Sequence, residues 1–264
     1  ILFLIALSLI AIGLIISSFF VTEYLNQRVL NSEERGTKAV WNKIENSSFE
    51  KMAFYAYDDT PGKPSIWRLR GNRSPIDAIR SKDVRKLERT IVPMYKNLQK
   101  SNILDFLIIS DKEEIIFQKG LEASSQNKNN RNSLNYFSVI TEQLFKKKID
   151  SIFLKINDKV AHIVHFPVYI NGRIIARVYY GKWLNALIED IKFSSGVEAI
   201  LFDENRKTIY TTDIDIDLEK IKRLTLAGQG KVEKISNSHF LINQITLNEF
   251  LNQKVYFSLV RDVT

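Results

Sequence analysis

His165-Phe166-Pro167-Val168-Tyr169-Ile170-Asn171-Gly172-Arg173-Ile174-Ile175-Ala176-Arg177-Val178-Tyr179-Tyr180 is the stretch whose reading decides the fold. Two β-branched and aromatic runs, Ala161–Tyr169 and Arg173–Tyr180, flank Ile170-Asn171-Gly172. Asn-Gly readily takes positive φ at both central positions of a tight turn, so this is a β-hairpin. A hairpin joins antiparallel strands, and its neighbours read the same way.

Working outward, Ser151–Ile156 is a strand connected to the hairpin through Asn157-Asp158-Lys159, and Ile103–Ile109 pairs with Glu114–Phe117 across Ser110-Asp111-Lys112. Ala123–Ser133 is polar and Asn-rich, a loop, and Leu134–Lys148 has helical spacing. Downstream, Gly181–Phe193 returns to helical spacing through Trp183, Leu184, Leu187, Ile188 and Ile191. Then come five more strands, Val197–Phe202, Lys207–Thr211, Lys231–Ser236, Phe240–Thr246 and Lys254–Val260, with a helix over Leu218–Leu224 inserted. Strand sets joined mainly by hairpins imply antiparallel sheets, hence an α+β fold.

The N-terminal part is helical throughout. Ile1 to Thr22 carries no charge, and at 1.5 Å per residue it spans about 30 Å, the thickness of a bilayer core. Phe19, Phe20 and Tyr24 near one end suit the membrane interface. The run exceeds a signal-peptide core and no A-x-A site follows, so an uncleaved transmembrane anchor is expected over 1–22. Leu25, Val29, Gly36, Val40 and Ile44 continue the helical period, giving a stalk helix over 23–57. After the turn cluster Asp58–Pro64, Ser74-Pro75-Ile76-Asp77 starts a helix expected to run to about Lys100, kinked at Pro93.

Lys and Arg exceed Asp and Glu by eight, for a pI near 9.4. The excess sits in short clusters such as Lys146-Lys147-Lys148, interleaved with acids, which reads as a solvated surface. No zinc-finger or RNA-binding signature accompanies it, so nucleic acid is not an expected partner. With no cysteine, disulfides, thiolate metal sites and a cysteine nucleophile are excluded. Of three histidines, His162 and His165 are odd-spaced on one strand and point to opposite faces, so they cannot chelate a metal together. Asp213-Ile214-Asp215-Ile216-Asp217 lacks the Gly and Glu of a calcium loop, with Leu218 and Leu224 in those places. No metalloprotease, serine-hydrolase, phosphate-loop or dinucleotide motif occurs. No metal or cofactor is expected, and the chain reads as a non-enzyme.

The order of elements resembles the double Cache family of extracytoplasmic sensors, with two stacked PAS-like modules. The resemblance is carried by His165 to Ala176 followed by Tyr180-Gly181-Lys182, by Gly196-Val197-Glu198-Ala199-Ile200-Leu201-Phe202-Asp203, and by the closing Phe257 to Thr264. It implies a membrane-distal module over 58–182, a linking helix over 183–195 and a membrane-proximal module over 196–264. It also implies a bacterial inner-membrane receptor with this region in the periplasm. Ligand would sit in the distal module and signal through stalk helices, with a histidine kinase, chemotaxis or cyclic-dinucleotide output beyond the region. A homodimer through the stalk is expected.

Candidate ligand contacts are Trp67, Arg68 and Arg70 from the connection before the second helix, and His162, Tyr169, Arg177 and Tyr179 from the strands. Aromatic walls with a few placed polar groups suit a small organic molecule, and an Arg can clamp a carboxylate. Trp67-Arg68-Leu69-Arg70 echoes only part of the family's amino-acid-binding pattern and lacks its later Asp partner. The rival reading is a membrane-anchored interaction or assembly protein with no small-molecule pocket.

Overall fold

The structure is a computed structural model and describes residues 2–57, 73–111, 114–121, 151–156, 158–212, 221, 231–235, 238–247 and 255–262. The expected helix over Leu134–Lys148, the acidic run 213–217 and most of the helix expected at 218–224 lie outside them. A 56-residue helix, α1 (Leu2–Tyr57), leads into α2 (Arg73–Arg80) and α3 (Val84–Lys100). Strands β1 (Phe106–Ser110), β2 (Ile115–Lys119), β3 (Ser151–Ile156), β4 (Lys159–Ile170) and β5 (Arg173–Trp183) follow. Then come α4 (Leu184–Ser195) and β6 (Glu198–Phe202), β7 (Thr208–Thr211), β8 (Lys231–Ile235), β9 (Ser238–Leu247) and β10 (Val255–Asp262).

The two sheets repeat one topology. Strand order is β2-β1-β5-β4-β3 in the first and β7-β6-β10-β9-β8 in the second, antiparallel throughout. In each, the last strand is the central one, pairing with both the first and the fourth. At the hairpin that decides the reading, Asn171 has φ 48° and Gly172 φ 75°, the turn that Asn-Gly favours.

One face of the first sheet receives the helices. Leu87, Ile91, Tyr95 and Leu98 of α3, spaced by about one turn, are buried with Ala78 and Ile79 of α2 and Met52 of α1. They pack on Leu107, Ile109, Val164, Phe166, Val178 and Tyr180. A second core joins Trp41 of α1 and Leu184, Leu187, Ile188 and Ile191 of α4 to Ala199, Leu201, Phe257 and Leu259. Phe153 and Val160, from the first sheet, belong to that second core too. Helix α1 therefore contributes to the cores of both modules. The sheets also meet through Lys155, whose ammonium lies 3.1 Å from Asp203 beside the β6–β7 turn.

Two boundaries differ from the sequence reading. The single helix expected from Ser74 to Lys100 is two: Lys82 takes φ 54°, and the Asp83 side chain accepts from the Lys86 N–H at 3.1 Å, capping a new helix. Lys82 also bridges Asp111 at 2.8 Å and Glu114 at 2.6 Å, which ties the break to the β1–β2 hairpin. Pro93 lies inside α3, which continues to Lys100.

The linking helix starts at Leu184, because Gly181 to Trp183 stay in β5. Gly181 is needed there for space. A β-carbon on it would lie 2.0–2.4 Å from the ring of Phe106, which is fully buried and packed on Trp183 at 5.1 Å between centroids. Gly181→Ala is expected to lower unfolding free energy by about 1–3 kcal/mol, as overpacked cores do. Chemical denaturation checks this, and an unchanged midpoint would count against the packing described.

Among the described residues no helix is long and apolar enough to cross a membrane. The expected anchor over 1–22 falls partly outside them, its side chains being described only from Ile12 onward.

Candidate functional site

The opposite face of the first sheet gathers the polar candidates. Register places Ile108, Tyr179 and His165 on one rung across β1, β5 and β4, and Ser110, Arg177 and Pro167 on the next. Residues two apart on a strand share a face, so Tyr179 and Arg177 of β5 stand side by side with His165 across from them. Phe106, Ile108, Ile152, Leu154, Ala161 and Ile163 supply the apolar floor around Tyr179.

Tyr179 is fully buried, and His165 and Ser110 are nearly so. The His165 and Tyr179 rings lie 6.0 Å apart between centroids, tilted by 41°. Arg177 is half-buried, two residues from Tyr179 on the same strand face. Burial lowers its pKa from the usual guanidinium range, while Tyr179, and then Tyr169, act in the opposite direction. Tyr169 stands at the hairpin end, 41% exposed. The result is a cation held among two tyrosines, a histidine and a serine on an apolar sheet face. Such a group can clamp a carboxylate through parallel N–H bonds.

Three candidates, Trp67, Arg68 and Arg70, lie outside the described residues. Tyr169, Arg177 and Tyr179 are brought together. His162 is not with them: it lies on the helix-bearing face, fully buried. It stacks on Phe153 at 4.6 Å between centroids, and its Nδ1 lies 3.3 Å from the Ser48 Oγ of α1. Desolvation by burial lowers its pKa to about 4, so it is a neutral imidazole at ordinary pH. The histidine on the Arg177 face is His165, and with it comes Ser110. Odd spacing shows that the two histidines part company, but only the pairing of His165 with Tyr179 says which one joins the site.

Among the described residues no group of three or more His, Cys, Asp or Glu side chains is placed to hold a metal ion. The Arg177 face sets a half-buried guanidinium beside tyrosine and serine hydroxyls.

No family model matches the sequence, and no curated protein matches it. Solved structures do match in fold. The chain is similar to the LuxQ periplasmic domain of Vibrio cholerae, with 16% identity and a TM-score of 0.52, over 87% of this chain and 98% of that one. It is also similar to the ligand-binding domain of the Pseudomonas fluorescens chemoreceptor CtaA in complex with L-isoleucine, with 9% identity and a TM-score of 0.50. That match covers 91% of this chain and 95% of the other. With its long N-terminal helix and twice-repeated antiparallel sheet, the chain has the fold of the Cache-type extracytoplasmic sensor domains.

Proposed function

We propose that this chain is the extracytoplasmic sensing region of a bacterial transmembrane signalling receptor, one that takes a small carboxylate-bearing molecule on the Arg177–Tyr179 face. The observation that carries the reading is the convergence of Arg177, Tyr179, Tyr169 and His165 on one face of the first sheet, while α1 packs on the other. A ligand that favours one arrangement of that sheet biases the helix seated behind it, by no more than its difference in affinity for the two arrangements. The output is a histidine kinase, a chemoreceptor or a cyclic-dinucleotide enzyme, and it is reached through paired stalk helices in a homodimer.

The anchor is the apolar run of α1. From Ile12 to Val29 its large hydrophobic side chains, among them Leu14, Ile15, Phe19 and Phe20, are exposed by half or more. As far as Thr22 the run carries no charged residue on any face, which suits a bilayer. On this reading the folded part lies in the periplasm beside the inner membrane.

L-Isoleucine bound to the CtaA domain makes amino acids the first class to screen. Calorimetry of the full chain in nanodiscs against amino acids and organic acids is expected to yield at least one saturable ligand. Arg177→Ala should weaken it by roughly a hundredfold, the worth of a charge-assisted pair in a dry site. An affinity unchanged by Arg177→Ala would overturn the placement of the ligand, and a folded chain that binds nothing would favour a protein partner instead.

A further inference from the structure

A cleft lies away from that face, between α1, α4 and the base of the first sheet. It has a volume of about 310 Å³, with Val40, Ile44, Ile103 and Leu187 along its apolar side. Sites of this size hold small organic molecules. Lys43 and Lys51, both exposed on α1, stand at its rim, and Lys182 reaches it from β5. Against these three cations the described lining sets one carboxylate, Asp190.

Lys182 is the unusual member. Its side chain is 4% exposed, and long charged side chains are seldom so buried unless paired. The ammonium donates to Asn102 Oδ1 at 2.5 Å and lies 3.5 Å from Asp105 Oδ1. Asp105 is partly committed elsewhere, since its Oδ2 accepts from the Trp183 N–H at 2.7 Å. An ammonium has three N–H donors, and among the described residues two partners are recorded, one of them distant. A buried cation with donor capacity left over, at the wall of a cleft with two more lysines and an apolar side, is an arrangement for an anion with a hydrocarbon portion.

We propose that this cleft binds a small amphipathic carboxylate, its charge met by Lys182 with Lys43 and Lys51 and its hydrocarbon part lying on Val40, Ile44 and Leu187. This site is separate from the Arg177 face and lies on the other side of the sheet. An occupant touches α1 and α4 together, so it acts on the seating of the long helix directly, without passing through the sheet.

The test is ligand-observed NMR on the full chain in nanodiscs, with hexanoate and benzoate as probes, their neutral amides as controls and empty nanodiscs as the blank. The carboxylates should bind saturably and more weakly as salt rises, and the amides should not. The Lys43→Gln, Lys51→Gln double variant alters exposed positions that the fold tolerates, and it should lose roughly tenfold in affinity. Because the Arg177 face also takes carboxylates, the cleft is read in an Arg177→Ala background, where saturable binding should persist. Equal affinity in the double variant, equal binding of the amides, or loss on Arg177→Ala alone would each overturn the cleft site. The last of these outcomes would move the carboxylate to the Arg177 face.

Discussion

Replacing Trp41 with alanine is expected to lower the unfolding free energy by about 3–5 kcal/mol, the usual cost of deleting a buried aromatic side chain. Trp41 is 2% exposed on α1, with ring centroids 5.7 Å from Phe153 of the first sheet and 4.6 Å from Phe257 of the second. Its removal leaves a cavity bordered by three separate elements, which a long helix packed on both modules cannot collapse easily. Trp41→Phe should recover part of the loss. Because the tryptophan touches both modules, the alanine variant should also unfold in a less concerted way, with the denaturation curve broadening. A loss below about 1 kcal/mol would mean that the second core does not depend on α1.

The next largest effect is a pH dependence centred on His162. Burial lowers its pKa from 6.5 to about 4, so the folded chain resists protonating it where the unfolded chain does not. Below about pH 6.5 the unfolded state takes up the proton first, and stability falls until about pH 4, where the folded state begins to protonate as well. The full contribution is present above pH 6.5 and is lost across that window. Its size is about 3 kcal/mol, from about 1.4 kcal/mol per pKa unit. Around the imidazole stand the Phe153 ring, the Ser48 hydroxyl and, opposite it in the β4–β5 register, Lys182, and desolvation sets the direction of the shift.

His162→Gln keeps a hydrogen-bonding group near Ser48 and should flatten the loss between pH 6.5 and 4, measured by urea midpoints. Asp203 contributes at lower pH. Burial raises its pKa, but the Lys207 backbone N–H and the Lys155 ammonium outweigh this and leave it below 3.8, so its stabilisation is lost only below that value. A His162→Gln profile parallel to the parent between pH 6.5 and 4 would contradict the buried neutral histidine.

Most of the fold was legible because its strands obey local rules. The β-branched and aromatic run Ala161–Tyr169 and the Asn171-Gly172 turn require no distant partner, and the antiparallel α+β class follows from them. The α2–α3 break was hidden because the turning residue is Lys82, which gives no glycine signal for its positive φ and is stabilised by Asp111 and Glu114 about thirty residues on. Likewise Gly181 looked like the start of a helix, since nothing local shows that the Phe106 ring lies over it.

The candidate site was half legible. Tyr169, Arg177 and Tyr179 stood out as polar and aromatic residues on one hairpin strand pair. Choosing between His162 and His165, and finding Ser110, needed the register of β5 against both β1 and β4. The junction was the least legible part. Trp41 with Phe153 and Phe257, and Lys155 with Asp203, are contacts between residues far apart in the chain, and periodicity carries no record of them.

Hydrogen–deuterium exchange of the full chain in nanodiscs, with and without a ligand found in the amino-acid and organic-acid screen, tests the central claim most directly. The expected result is slowed exchange in β4 and β5 around His165 and Arg177–Tyr179, together with a change in α1 between Val40 and Met52, where that helix enters both cores. Saturable binding with no change in β4 and β5, or protection there with α1 unaltered, would contradict an account in which that sheet face holds the ligand and the long helix reports it.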